Sequence, residues 1–149
     1  MNIFVDADAC PVKEIIVAEA KKYSFPVFMI CDTSHVLNDG YSTTVTVDKC
    51  GDSADFYIIN HILKYDICVT QDYGLAAVLL SKSAYVVHQN GFLYSSENID
   101  RLLFERHISK ELRLRGEKGG KHKKRTPENN ENFRSFFASF LKKLSENKP

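Results

Sequence analysis

Val27-Phe28-Met29-Ile30-Cys31 is an unbroken apolar run, and no other stretch restricts the fold as strongly. A strand with one wet face alternates polar and apolar residues. A continuous run marks a strand covered on both faces, as in the interior of a parallel sheet. Ile3-Phe4-Val5 is a shorter run of the same kind. Between the two, Val12, Ile15, Ile16 and Ala20 recur at helical spacing up to about Tyr23, and Ser24 and Pro26 end that helix. Strand, helix, strand at this separation is a βαβ unit, which favours a parallel sheet with right-handed crossovers.

The rest of the chain continues the pattern. Thr43 to Val47, Asp66 to Thr70 and Ala84 to His88 read as further strands, so an α/β sheet of about five strands is expected. Residues 32–42 read as loop. A helix is expected from near Asp52, with Ile58, Ile59, Ile62 and Leu63 at helical spacing, and a short apolar one over Leu75 to Leu80. Asn90-Gly91 signals a tight turn into Phe92-Leu93-Tyr94. Ser95 or Ser96 then caps a helix whose apolar stripe runs through Ile99, Leu102, Leu103, Ile108 and Leu112. A last helix, at about residues 129–146, places Phe133, Phe136, Phe137, Phe140, Leu141 and Leu144 on one face expected to pack on the core. The 149 residues are expected to form a single domain able to bury a core without disulfides. Cys10, Cys31, Cys50 and Cys68 show no C-x-x-C pair, so buried thiols are expected rather than a zinc knuckle or a disulfide framework. The histidines His35, His61, His88, His107 and His122 form no metal-binding pair. Acidic residues interrupt the first ten positions and no apolar run approaches a membrane span, so a cytoplasmic protein with no membrane partner is expected.

Charge is divided along the chain. Residues 1–100 hold 6 Lys and Arg against 13 Asp and Glu, whereas residues 101–125 hold 10 against 3. The basic part includes Arg101, Arg106, Arg113 and Arg115, then Gly116 to Arg125, GEKGGKHKKR, expected with the residues to 127 to form a mobile loop. A basic arm on an acidic body suits a nucleic acid or another polyanion.

Asp6-Ala7-Asp8-Ala9-Cys10-Pro11 stands where the first strand stops and the first helix begins, with Pro11 suited to a first helical turn. If the backbone stays extended, Asp6 and Asp8 point to the same side. Paired carboxylates raise one another's pKa unless a cation lies between them, which suits either a hard divalent metal or an acid and a base of unequal pKa. Asp52 and Asp55 fall in the first turn of another helix, and Asp72 follows a strand. All five then lie at or just past the carboxyl edge of the sheet, where open α/β sheets bind ligands. The alternative reading is structural: Asp8, Asp52 and Asp55 as helix-cap residues and Asp6 as a strand end in solvent.

DADACPV at Asp6 to Val12, GDSAD at Gly51 to Asp55, DICVTQDYGLAA at Asp66 to Ala77 and the LR…G…GG pattern at Leu112 to Gly120 resemble the YaiI/YqxD family of uncharacterised bacterial proteins. The resemblance covers nearly the whole chain. It implies a relation to PIN-like domains, hence a three-layer fold with a mainly parallel sheet and here a C-terminal helical extension. It also implies a metal-dependent nuclease site at Asp6, Asp8, Asp52, Asp55 and Asp72. In that reading Asp6, Asp8 and Asp72 are catalytic and hold Mg²⁺ or Mn²⁺. Arg113, Arg115, Lys118, Lys121, Lys123, Lys124 and Arg125 grip phosphates of an RNA substrate. Proline is expected in the family at positions 74 and 121, where this chain has Gly74, expected to loosen the turn after Asp72, and Lys121. Two alternatives stay open. One is a non-catalytic RNA-binding protein that keeps the acidic pocket. The other is a haloacid dehalogenase-type phosphatase, with Asp6 as nucleophile and Asp8 as acid.

Overall fold

The computed structural model describes residues 1–32, 38–117 and 124–147. Strand β1 (Ile3–Asp6) leads into helix α1 (Lys13–Lys22), followed by β2 (Val27–Cys31) and β3 (Thr43–Thr46). Helix α2 (Ser53–His61), β4 (Ile67–Val69), α3 (Tyr73–Ser81) and β5 (Tyr85–His88) come next. A two-residue strand β6 (Phe92–Leu93), α4 (Ser96–Leu114) and α5 (Pro127–Glu146) complete the described elements. The sheet has six strands in the order β3-β2-β1-β4-β5-β6. All pairings are parallel except β5 with β6, which is antiparallel. The sequence expectation of about five strands falls one short because β6 is only two residues long and carries no periodicity of its own.

Helices cover both faces, as the unbroken apolar run requires. Ile3, Val5, Met29, Val69 and Val87 point to one side and pack with Ile15 and Ile16 of α1 and Phe133, Phe137 and Leu141 of α5. Phe4, Ile30, Cys68 and Val86 point to the other, against Ile58 of α2, Leu75 and Leu79 of α3 and Ile99 of α4. Alternate residues of each strand thus feed separate cores. The phenylalanine stripe of α5 behaves as its spacing predicts, with Phe133, Phe137 and Leu141 fully buried. Glu19, a buried carboxylate on α1, ties α5 down through Arg134 at 4.0 Å and is also held by Lys22 at 2.9 Å. Burying a carboxylate is tolerable only with such partners.

The connections explain several residues. Ser95 caps α4 through a reciprocal box with Asn98. Gly91 has φ +89°, and a Cβ there would lie 2.8 Å from the Asn132 carbonyl oxygen of α5. The Asn90-Gly91 turn therefore needs glycine for both its backbone angle and the approach of α5. Pro11 precedes the helix instead of opening it, since the N-cap of α1 is Val12. Cys10, Cys31 and Cys68 are buried as expected, whereas Cys50 is exposed. Among the described residues no helix is long and apolar enough to cross a membrane. The loop expected at 116–127 falls partly on residues 118–123, outside the described residues, and so do Lys118, Lys121, Lys123, His35 and His122.

Candidate functional site

In the strand order β3-β2-β1-β4-β5, the chain winds one way from β1 and the other way from β4. The crevice past the carboxyl ends of these two neighbours is where helices depart in opposite senses and leave a ligand-sized gap. Asp6 ends β1, and Thr70, Gln71 and Asp72 follow β4 directly. Two of the five candidate carboxylates therefore come from opposite lips of the crevice.

The central contact is made by Thr70, which is 2% exposed. Its hydroxyl donates to Asp6 Oδ2 at 3.0 Å and accepts the Asp72 N–H at 3.0 Å. One side chain thereby joins the two lips. Asp72 caps α3, its Oδ1 accepting from the N–H groups of Gly74 at 2.9 Å and Leu75 at 3.2 Å. Glycine at position 74 supplies a donor to this cap that proline would lack. Behind Thr70, the buried Tyr94 phenol donates to the Thr70 carbonyl at 3.2 Å. Tyr94 is set in turn by edge-on contacts with Tyr73, His88 and Phe92.

The strand ends at Asp6, and Asp8 lies in the turn that the Cys10 N–H closes onto the Ala7 carbonyl at 3.2 Å, so the period of two is not carried through it. Asp8 Oδ2 accepts the Asp32 N–H, just past β2, at 2.8 Å. Nor does Asp8 cap α1, and Asp52, although the N-cap residue of α2, makes no side-chain cap hydrogen bond. Asp55 stands in the first turn of α2.

The carboxylates feel one another. Burial raises the Asp6 pKa, the Thr70 hydrogen bond opposes that rise, and the charges of Asp72 and Asp8 add to it. Burial, then Asp72, Asp6 and Asp52, push Asp55 up to about 6. Each of three carboxylates has one oxygen fixed by the fold: Oδ2 of Asp6, Oδ2 of Asp8 and Oδ1 of Asp72. Among the described residues, their other oxygens accept no hydrogen bond.

These donors are all carboxylate oxygens, the chemistry preferred by a hard divalent cation. Among the described residues, however, no three Asp, Glu, His or Cys side chains group closely enough to hold a metal ion. Among the described residues, then, the carboxylates do not make a closed metal cage.

Asp6 and Asp72 line a cleft of about 590 Å³ together with Tyr73 and, from α4, Leu102, Arg106 and Arg113. Arg106 Nη1 lies 4.0 Å from Asp72 Oδ1. Of the expected basic contacts, Arg113 reaches this cleft. Arg115 is exposed just past α4, and Lys124 is exposed. Arg125 is engaged elsewhere: it donates to Asn130 Oδ1 at 2.8 Å, Asn90 Oδ1 at 2.7 Å and the Gln89 carbonyl at 2.8 Å. These contacts fasten the start of α5 to the β5–β6 turn and occupy much of the fork a phosphate would need. Sequence reasoning missed Thr70, Tyr73, Tyr94 and Arg106 as parts of the site. The T-x-D spacing could have revealed the local Thr70–Asp72 bond. Nothing local signals the contact with Asp6, 64 positions away.

Residues 4–143 match the model of the family described as uncharacterized BCR, YaiI/YqxD family. The chain is 57% identical over 146 residues to a UPF0178 protein of Ruminiclostridium cellulolyticum, covering 98% of this chain and 95% of that one. It is 48% identical over 141 residues to a UPF0178 protein of Alkaliphilus oremlandii, covering 95% and 91%. A UPF0178 protein of Clostridium acetobutylicum is 45% identical over 143 residues, covering 95% and 97%. No solved structure matches the chain significantly.

Proposed function

The chain belongs to the YaiI/YqxD family, and we propose that it is a divalent-cation-dependent nuclease acting on RNA. The observation that carries this reading is the pairing of Asp6 and Asp72 across the β1–β4 crevice, on the floor of a cleft whose α4 wall carries Arg106 and Arg113. Carboxylates flanked by guanidinium groups suit a phosphodiester: cations hold the phosphate while the acids serve the reacting end. The relation to PIN-like domains implied by the sequence motifs points the same way, and the choice of RNA rests on that resemblance.

Asp6 and Asp72 would hold Mg²⁺ or Mn²⁺, with Asp8, Asp52 and Asp55 adding negative charge around the ion. Such an ion, when bound, activates water and offsets charge on the leaving oxygen. The protein's own contribution is orientation and attraction. Thr70 fixes one oxygen of Asp6, and among the described residues the other accepts no hydrogen bond. Arg113, Arg115 and Lys124 attract phosphates without reading bases, which makes binding steeply salt-dependent.

Calorimetric titration with Mn²⁺ of the wild type and of Asp6→Asn tests the site, followed by RNA cleavage by both. Binding and cleavage by the wild type, and loss of both in the variant, are expected. Cleavage retained by Asp6→Asn would refute the assignment. A non-catalytic RNA-binding protein is the second reading, favoured by the lack of a three-ligand group among the described residues. It is distinguished by RNA binding without turnover in any divalent metal. A haloacid dehalogenase-type phosphatase would need Asp8 as its acid, whereas Asp8 Oδ2 is engaged by the Asp32 N–H.

A further inference from the structure

We propose that Arg106 is a built-in counter-ion of the acidic crevice, exchanging Asp72 for a substrate phosphate when a divalent cation is bound; this rests on the nuclease reading. Three observations carry it. Arg106 Nη1 stands 4.0 Å from Asp72 Oδ1, close enough for ion pairing but too far for a hydrogen bond. Both side chains are accessible, at 61% and 39% exposure, so the contact is readily exchanged. Finally, Arg106 lies on the same stripe of α4 as Leu102, Ser109 and Arg113, all of which line the cleft. Residues at these separations share one helical face.

Asp6 is repelled by Asp72 and Asp8, and Asp55 by Asp72, Asp6 and Asp52; among the described residues, Arg106 is the cleft-wall guanidinium within ion-pair distance of one of these acids. It therefore competes for Asp72 with any divalent cation. Once Asp72 is engaged by the ion, the Arg106 guanidinium is repelled from the crevice and left with a free fork facing the cleft. A phosphodiester lying along α4 would meet Arg106 nearest the acids and Arg113 two turns further on. Arg106 would then grip the phosphate closest to the reacting bond. The residue thus links loading of the acids to substrate binding.

The test is Mn²⁺ titration calorimetry at low salt on the wild type, Arg106→Gln and Arg106→Lys, with RNA affinity measured in parallel in Ca²⁺. Because Arg106 is exposed, the variants should fold, and circular dichroism checks this. With its competitor removed, Arg106→Gln should bind Mn²⁺ about two- to fivefold more tightly, the range of an exposed ion pair. It should also bind RNA more weakly, with the salt slope reduced by about one. Arg106→Lys should restore Mn²⁺ affinity toward the wild type. If the wild type binds Mn²⁺ and Arg106→Gln binds it equally or more weakly, the counter-ion role is refuted while the metal site stands. If neither binds Mn²⁺, both readings fall together.

Discussion

Replacing Thr70 by valine removes a hydroxyl while keeping the branched shape, so it isolates the bridge between the two lips of the crevice. Two hydrogen bonds are lost, both at 3.0 Å. The one to the Asp6 carboxylate is charge-assisted, and such bonds contribute about 1.5–3 kcal/mol. The one from the Asp72 N–H contributes about 0.5–1.5 kcal/mol. Asp6 is only partly buried and water recovers some of its loss, which places the expected destabilisation at about 2–3 kcal/mol. For a chain of this length that is a fall in Tm of about 5–10 °C. Urea unfolding monitored by circular dichroism measures it, with Thr70→Ser, which retains the hydroxyl, as the control. The Asp6 pKa should also rise, since the Thr70 hydrogen bond is what opposes its elevation. Mn²⁺ affinity should weaken in Thr70→Val, because Asp6 loses the contact that orients it. A stability loss below about 0.5 kcal/mol, the range of an ordinary surface substitution, would refute the bridge.

Two further substitutions test the crevice and the fold around it. Asp55 titrates at about 6 instead of its ordinary 3.8, so the folded protein holds a proton between these values that the unfolded chain has released. Its charge therefore opposes folding above pH 6, and that penalty disappears as the pH falls toward 4. Asp55→Asn should stabilise the metal-free protein by about 1 kcal/mol at pH 8, allowing for solvent screening, and by progressively less below pH 6. Thermal melts across that range check this, and a pH-independent effect would exclude repulsion as the cause. Gly91→Ala should cost at least about 2 kcal/mol, from the positive φ and the contact with the α5 backbone at Asn132. Hydrogen exchange should quicken in α5, and unchanged exchange there would count against the close approach.

What the sequence determined by itself is what local patterns encode. Val27 to Cys31 shows a strand covered on both faces, the Ser95-Ser96 pair shows where α4 begins to within a residue, and the phenylalanine spacing shows which face of α5 is buried. Asp6 and Asp72 were legible as strand-edge acids because Asp6 directly follows an apolar run and Asp72 stands three residues past another. Period, capping and turn chemistry act over a few residues, so they survive without knowledge of the fold. The turn into the antiparallel β6 was legible in Asn90-Gly91, but the strand itself is too short for any period to develop.

Only the tertiary structure decided which acids meet. Strand order places β1 beside β4, and Thr70 then joins residues far apart in the chain. Asp8 accepts the Asp32 N–H past β2, a contact that its spacing from Asp6 does not foretell. Arg106 and Arg125 look alike in a basic stretch, yet one faces the cleft and the other fastens α5 to the β5–β6 turn. The physical reason is common to all of these. Sequence sets where a charge sits along its own strand or helix, but its partners are set by how those elements pack, through contacts no local window contains.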